Sequence, residues 1–288
     1  MNYTQFREKT IEHLSHWILA RNPGIARGKY RGKALRHVLP LAPGMKRKDA
    51  ILDAICRYNV LTDGVTFDKR VFPPERLHYL ANHLTSSQIL CYNFFRLFLP
   101  EEICTGRQIR VTPALRQWLA AALPEDVRPV ADNAVCEFEY VLDAKEGTSF
   151  DFCVTDGTTT FLFEIKYTEN GFGKERDDKG HNAKFNRLYS VLLKSQRTLR
   201  PDIGKDVFLK YYQLSRNAIH TNDDTWLVII SPAANAACRK QLEEFCKECV
   251  AEHAGNRILS LTWEDAFAAS EISETSELKK KAFISISR

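Results

Sequence analysis

No apolar run in this chain of 288 residues approaches the roughly 20 residues that a membrane-crossing helix needs. The first residues, MNYTQFREKTIEHLSHW, mix charges into their apolar positions and so lack the hydrophobic segment of a secretory signal. These absences predict a cytoplasmic protein with no membrane partner. Internal repeats and low-complexity tracts are also missing, which excludes a repeat architecture. The eight cysteines are scattered, mostly inside apolar runs where a free thiol behaves as a small hydrophobe. That pattern predicts a reducing compartment rather than a disulfide scaffold. Cys246 and Cys249 form a single close pair, whereas structural zinc sites usually take two such pairs, so no zinc site is expected.

Acid is absent where base is dense. Between Arg21 and Lys48 stand Arg27, Lys29, Arg31, Lys33, Arg36, Lys46 and Arg47, with no Asp or Glu. The whole chain carries only +5, from 41 basic and 36 acidic residues, so this local bias matters more than the net charge. It admits two readings. The stretch can neutralise a nucleic acid backbone, or it can be a solvated connection, since Pro23, Gly24, Gly28, Gly32, Pro40, Pro43 and Gly44 interrupt it.

A hydrophobic fraction of 44% with 27% charged residues is that of an ordinary globular protein with a packed core. Helical spacing over residues 4–20 (Phe6, Ile11, Leu14, Ile18), a helix over 49–58 and another after Pro73-Pro74 predict an N-terminal helical, basic region over residues 1–82. The remaining residues, 83–288, read differently. Thr85 or Ser86 can cap a helix that stops at Pro100. Strand-like runs follow at 135–142, 148–155 and 159–168, then helices at 182–199 and 205–219. A buried strand at 226–230, a helix at 236–252 and a last strand at 258–263 complete the chain. The expected class is α/β, a mixed central sheet flanked by helices.

The segment from Thr148 to Tyr167, TSFDFCVTDGTTTFLFEIKY, carries the chemistry. Alternation along a strand puts Glu164 and Lys166 on one face and Phe161, Phe163 and Ile165 on the other. Asp156-Gly157 is a two-residue hairpin signal, which pairs Thr155 with Thr158 and Asp151 with Leu162. Asp151 and Glu164 are then diagonal neighbours on one face, with Lys166 a step further and all the phenylalanines opposite. Two close carboxylates repel each other, and a divalent cation such as Mg²⁺ (or Mn²⁺) resolves that repulsion. A lysine beside it can orient a water or offset charge developing on phosphorus oxygens. The parts match metal-assisted phosphodiester hydrolysis. The same residues would also make a surface hairpin with a solvated ion pair.

Thr148-Ser-Phe-Asp151 followed by Phe163-Glu164-Ile-Lys166-Tyr-Thr-Glu169 resembles the second and third core strands of the PD-(D/E)XK nuclease superfamily. The helix Ser86-Ser87-Gln88-Ile-Leu-Cys-Tyr-Asn93 and the later Gln213-Leu-Ser-Arg216 are similar to those of a little-characterised bacterial subgroup. The resemblance implies a restriction-endonuclease-like fold in which Asp151 and Glu164 ligate the metal and Lys166 assists the attacking water. It also implies that a residue from the preceding helix or first strand completes the site. Glu139 is the candidate, although Glu137 shares its strand face. Gln88 stands where many members carry an acid, and it can still bind a water or phosphate. Gln213 and Arg216 share a helical face, and Arg216 either clamps a phosphate or is simply solvated. The pattern departs from the family at Phe150, where a proline is usual. The expected activity is Mg²⁺-dependent nuclease cleavage of DNA, in defence or repair, with a homodimer among the expected partners. A nuclease-fold module that binds nucleic acid or a partner protein without cutting is the alternative.

Overall fold

The structure, a computed structural model, describes residues 1–61, 74–99, 107–175, 178–270, 272 and 276–282. Pro73, Pro100 and Cys104 lie outside them. The chain opens with α1 (Tyr3–Arg21), whose Asn2 cap and Gln5 exchange reciprocal hydrogen bonds. A hairpin of β1 (Gly28–Tyr30) and β2 (Lys33–Leu35) precedes α2 (Arg47–Tyr58) and α3 (Ser87–Arg96). Next come β3 (Ile109–Arg110), α4 (Pro113–Ala122), β4 (Val135–Val141), β5 (Ser149–Thr155) and β6 (Thr160–Ile165). The helices α5 (Lys179–Lys184), α6 (Ser190–Ser195), α7 (Lys205–Lys210) and α8 (Tyr212–Ala218) lead to β7 (Thr225–Ser231). The described chain ends with α9 (Ala236–Cys249), β8 (Ile258–Thr262), α10 (Trp263–Ala268) and α11 (Glu277–Ala282).

Strands β3 to β8 form one sheet in chain order, antiparallel from β3 to β6 and parallel from β6 to β8. Parallel neighbours need crossovers, and these hold α5 to α8 and then α9 against one face. This is the mixed sheet flanked by helices, with an N-terminal helix, that the sequence pattern predicts. One core joins Phe152, Phe163 and Val228 to α1, α2, α3, α4, α10 and α11. A second joins Leu162, Leu227 and Ile229 to α7, α8 and α9. Helix α3 is buried from Gln88 to Arg96, and Phe95 stacks on Phe152 at 4.1 Å between ring centres. Such buried aromatics contribute roughly 1.5–3 kcal/mol each, so α3 anchors the strands that carry the acids.

Residues 1–82 pack Leu14, Trp17, Ile18, Ile51 and Ile55 into the first core, alongside sheet residues. The basic stretch is ordered by the β1–β2 hairpin and by a bridge from Val38 to His83. Gly28 is required there, because a Cβ would meet the Leu39 carbonyl oxygen at 2.2 Å. Three expectations change. The helix after Pro73-Pro74 is a single turn, Pro74–Arg76, because the Gln88 side chain takes the Arg76 carbonyl and the His78 N–H that a helix would use. The helix over 182–199 begins at Lys179, widens at Phe185–Tyr189 and ends at Ser195. The helix over 205–219 breaks at Tyr211 (φ −114°, ψ 39°), so α8 starts afresh. The unexpected α4 carries sequence signals of its own, a Thr112 cap and Pro113 at its first position.

Candidate active site

The β5–β6 turn is longer than a two-residue hairpin. Thr155 pairs with Thr160 and Phe152 with Phe163, because Asp156 Oδ1 accepts from the N–H groups of Thr158 (2.8 Å) and Thr159 (2.7 Å). Gly157 supplies the positive φ (88°) that this turn needs. The register therefore slides by two residues, and it keeps every β6 side chain on its expected face. Continued outward, it sets Asp151 across from Glu164 rather than diagonal to it. Asp151 Oδ2 accepts the Ile165 N–H at 2.7 Å.

Alternation then fails at one step on both β4 and β5. Phe138 pairs with Phe152 in the first core, whereas the next pair, Tyr140 with Phe150, packs against the second. The phenylalanines therefore do not all share a face, and Phe150 is the exception. The break falls at Glu139, whose φ of 51° is left-handed, and at Asp151 opposite it. It turns Glu139 into the same cleft as Asp151 and Glu164, while Glu137 faces Arg76 at 3.9 Å outside it.

Glu164 and Lys166 form the cleft floor, only 5% and 6% exposed. The Lys166 ammonium donates to Gln213 Oε1 and lies 2.9 Å from Glu164 Oε1. Gln213 Nε2 donates to that same carboxylate oxygen at 2.8 Å, and Asn217 Nδ2 donates to Oε2 at 2.8 Å. Helix α8 therefore reads Glu164 with two amides one turn apart. Asn217 was missed by sequence reasoning, although its place four residues after Gln213 was the available signal. Trp263 Nε1 donates to the Lys166 carbonyl at 3.0 Å, and Tyr167 donates its hydroxyl to the Lys281 carbonyl at 3.1 Å. These contacts fix the end of β6 from the other side.

Electrostatics divide the group. Burial, then the Glu164 and Glu139 carboxylates, push the Asp151 carboxyl well above the usual range, against the Ile165 N–H and Lys166. Burial and Glu164 push Glu139 up to about 7, against the Gln88 amide and Arg76. Burial opposes charge on Lys166, yet Glu164, Glu169 and Asp151 outweigh it and hold the ammonium above its ordinary value. Lys166 is a cation here, suited to donating to an anion rather than to accepting a proton.

Asp151, Glu164, Lys166, Glu139 and Gln213 line one cleft of about 740 Å³, together with Gln88, Glu169, Arg7 and Tyr30, while Asn217 lies behind it. Arg216 is elsewhere. It donates to Thr148 Oγ1 and the Gly147 carbonyl and faces Glu146 at 3.5 Å, so it braces the loop before β5 instead of meeting the cleft. Gln88 uses its amide on the Arg76–His78 turn. Among the described residues, no group of three or more His, Cys, Asp or Glu side chains is arranged to hold a metal ion as it stands. The donor set still fits a divalent cation in kind. Asp151, Glu139 and Glu164 offer hard oxygens to one space, and two of them are driven toward protonation by burial and mutual repulsion.

A mixed sheet whose β5–β6 pair delivers clustered acids and a lysine to a cleft defines a restriction-endonuclease-like protein. The chain matches the family described as Restriction Endonuclease associating with ARP over residues 13–282, and it belongs to that family. No curated protein and no solved structure matches it. Among the described residues no helix is long and apolar enough to cross a membrane.

Proposed function

We propose that this chain is a PD-(D/E)XK-type nuclease that hydrolyses phosphodiester bonds in DNA with Mg²⁺ or Mn²⁺, in defence or repair. The observation that carries the reading is the convergence of Asp151, Glu164, Lys166 and Glu139 on one cleft. Asp151 and Glu164 are the metal ligands, and Glu139 completes the acid set. A bound cation supplies Lewis-acid polarisation of the phosphate and a more acidic water. Lys166, kept charged by Glu164, donates to the phosphoryl oxygen on which charge develops. Gln213 and Asn217 hold both oxygens of Glu164, so this carboxylate is oriented before substrate arrives.

The test is conversion of supercoiled plasmid by the parent, Asp151→Ala and Lys166→Ala proteins, with and without Mg²⁺ or Mn²⁺. Metal-dependent nicking that falls at least about 100-fold in each variant is expected. A folded parent that binds DNA but never cuts it would move the assignment to a binding module of the same fold.

A further inference from the structure

The cleft has a second wall, made by the N-terminal region and not used by the chemistry above. Tyr30 of β1, His37 and His83 stand in a chain of edge-on rings, with Tyr30 and His83 centres 5.3 Å apart and His37 and His83 centres 5.4 Å apart. All three line the space that Asp151 and Glu164 line. The two histidines are buried, and burial first pushes each down to about 4, helped by His83 and Arg7 at His37 and by Arg47 and Arg7 at His83, so at neutral pH they present uncharged rings. Tyr30 is half-buried with its ring at the cleft. The wall is rigid, since Leu84 N–H donates to the His37 carbonyl and Leu39 N–H to the Asn82 carbonyl.

Charge surrounds this aromatic wall. Lys29, Arg31 and Lys33 of the same hairpin are exposed, the Arg31 guanidinium lies 5.2 Å from the Tyr30 ring centre, and exposed Arg7 of α1 lines the cleft. Aromatic rings interleaved with cations are what an unpaired strand uses, bases on the rings and phosphates on the charges. The cleft size agrees. At about 740 Å³ it matches sites for small ligands, roughly 300–1,000 Å³.

We propose that this wall receives the base of an unpaired nucleotide, with Tyr30 as the stacking face, so that single-stranded DNA or an unpaired strand end is the preferred polymer. This rests on the nuclease reading only in taking nucleic acid as the ligand. The test is fluorescence anisotropy in EDTA with a short labelled single strand, the same sequence as a blunt duplex, and the strand with abasic sites. The parent is expected to bind the single strand about tenfold more tightly than the duplex or the abasic strand, the effect of roughly one stacked base. Tyr30→Ala should lose that margin while duplex binding holds within about twofold, and Tyr30→Phe should keep it, with thermal melts showing that both variants fold. Equal binding of duplex and single strand, indifference to abasic sites, or an equal loss on all three ligands in Tyr30→Ala would overturn the proposal. Because no metal is present, the margin can survive a failed cleavage assay, and cleavage can survive a missing margin.

Discussion

Glu139 and Glu164 are acids of one cleft with different roles, set by their neighbours. Glu164 accepts from Gln213 and Asn217 and faces Lys166, so its charge is compensated. Glu139 has the Gln88 amide and Arg76 to offset burial and the Glu164 charge, and it still rises to about 7. A carboxyl raised in the folded state adds stability that is complete below its ordinary value of 4.5 and disappears as pH climbs through about 7. Asp151 acts in the same direction. The metal-free melting temperature should therefore fall between about pH 4.5 and 7, and Glu139→Gln should flatten that fall. Parallel profiles for parent and variant would show that Glu139 is not held out of its charged state. Asp151, Glu164 and Lys166 were legible as a group because alternation along β6 holds and a two-residue slip in the β5–β6 register leaves Asp151 on the Glu164 face. Arg216 was not legible as a brace, since its partner Glu146 sits in a loop with no periodicity to point at it.

Elements succeed or fail in the sequence according to whether a local signal specifies them. Strands β4 to β8 and the helix α3 with its Ser86 cap follow from alternation and capping, and the structure has them. The β5–β6 register needed the Asp156 side chain, whose bonds to Thr158 and Thr159 lengthen the turn without changing faces. The kink at Glu139 arises from tertiary context, with its carbonyl accepting from Arg76, and no residue type there announces it. Helix α8 meets Glu146 through Arg216 at 3.5 Å, and the same carboxylate takes the Thr148 N–H and the Tyr189 hydroxyl, each at 2.7 Å. Burial opposes its charge, but the His220 ring, these two bonds and Arg216 hold the Glu146 carboxyl well below the usual range. With that side chain only 1% exposed, Glu146→Ala should cost about 2–4 kcal/mol in chemical denaturation by leaving the Thr148 N–H and the Tyr189 hydroxyl without their acceptor. A loss below about 1 kcal/mol would reduce this group to a surface-like pair.

The whole molecule closes its cleft with two parts of the chain that are far apart in sequence. The sheet and α3 bring the acids, and α1, the β1–β2 hairpin and the 78–83 segment bring the facing wall. Fold class was readable from the order of strands and helices, but this closure was not, because periodicity carries no information about which distant surfaces meet. Whether Asp151, Glu164 and Glu139 together form a metal site is tested by calorimetric titration of Mn²⁺ into the metal-free protein near neutral pH. Saturable binding with proton release is expected, since Glu139 is raised to about 7 and Asp151 is pushed the same way while a cation favours their charged forms, and that binding should be lost in Asp151→Asn. Titrations without saturation, or identical isotherms for the parent and Asp151→Asn, would contradict it.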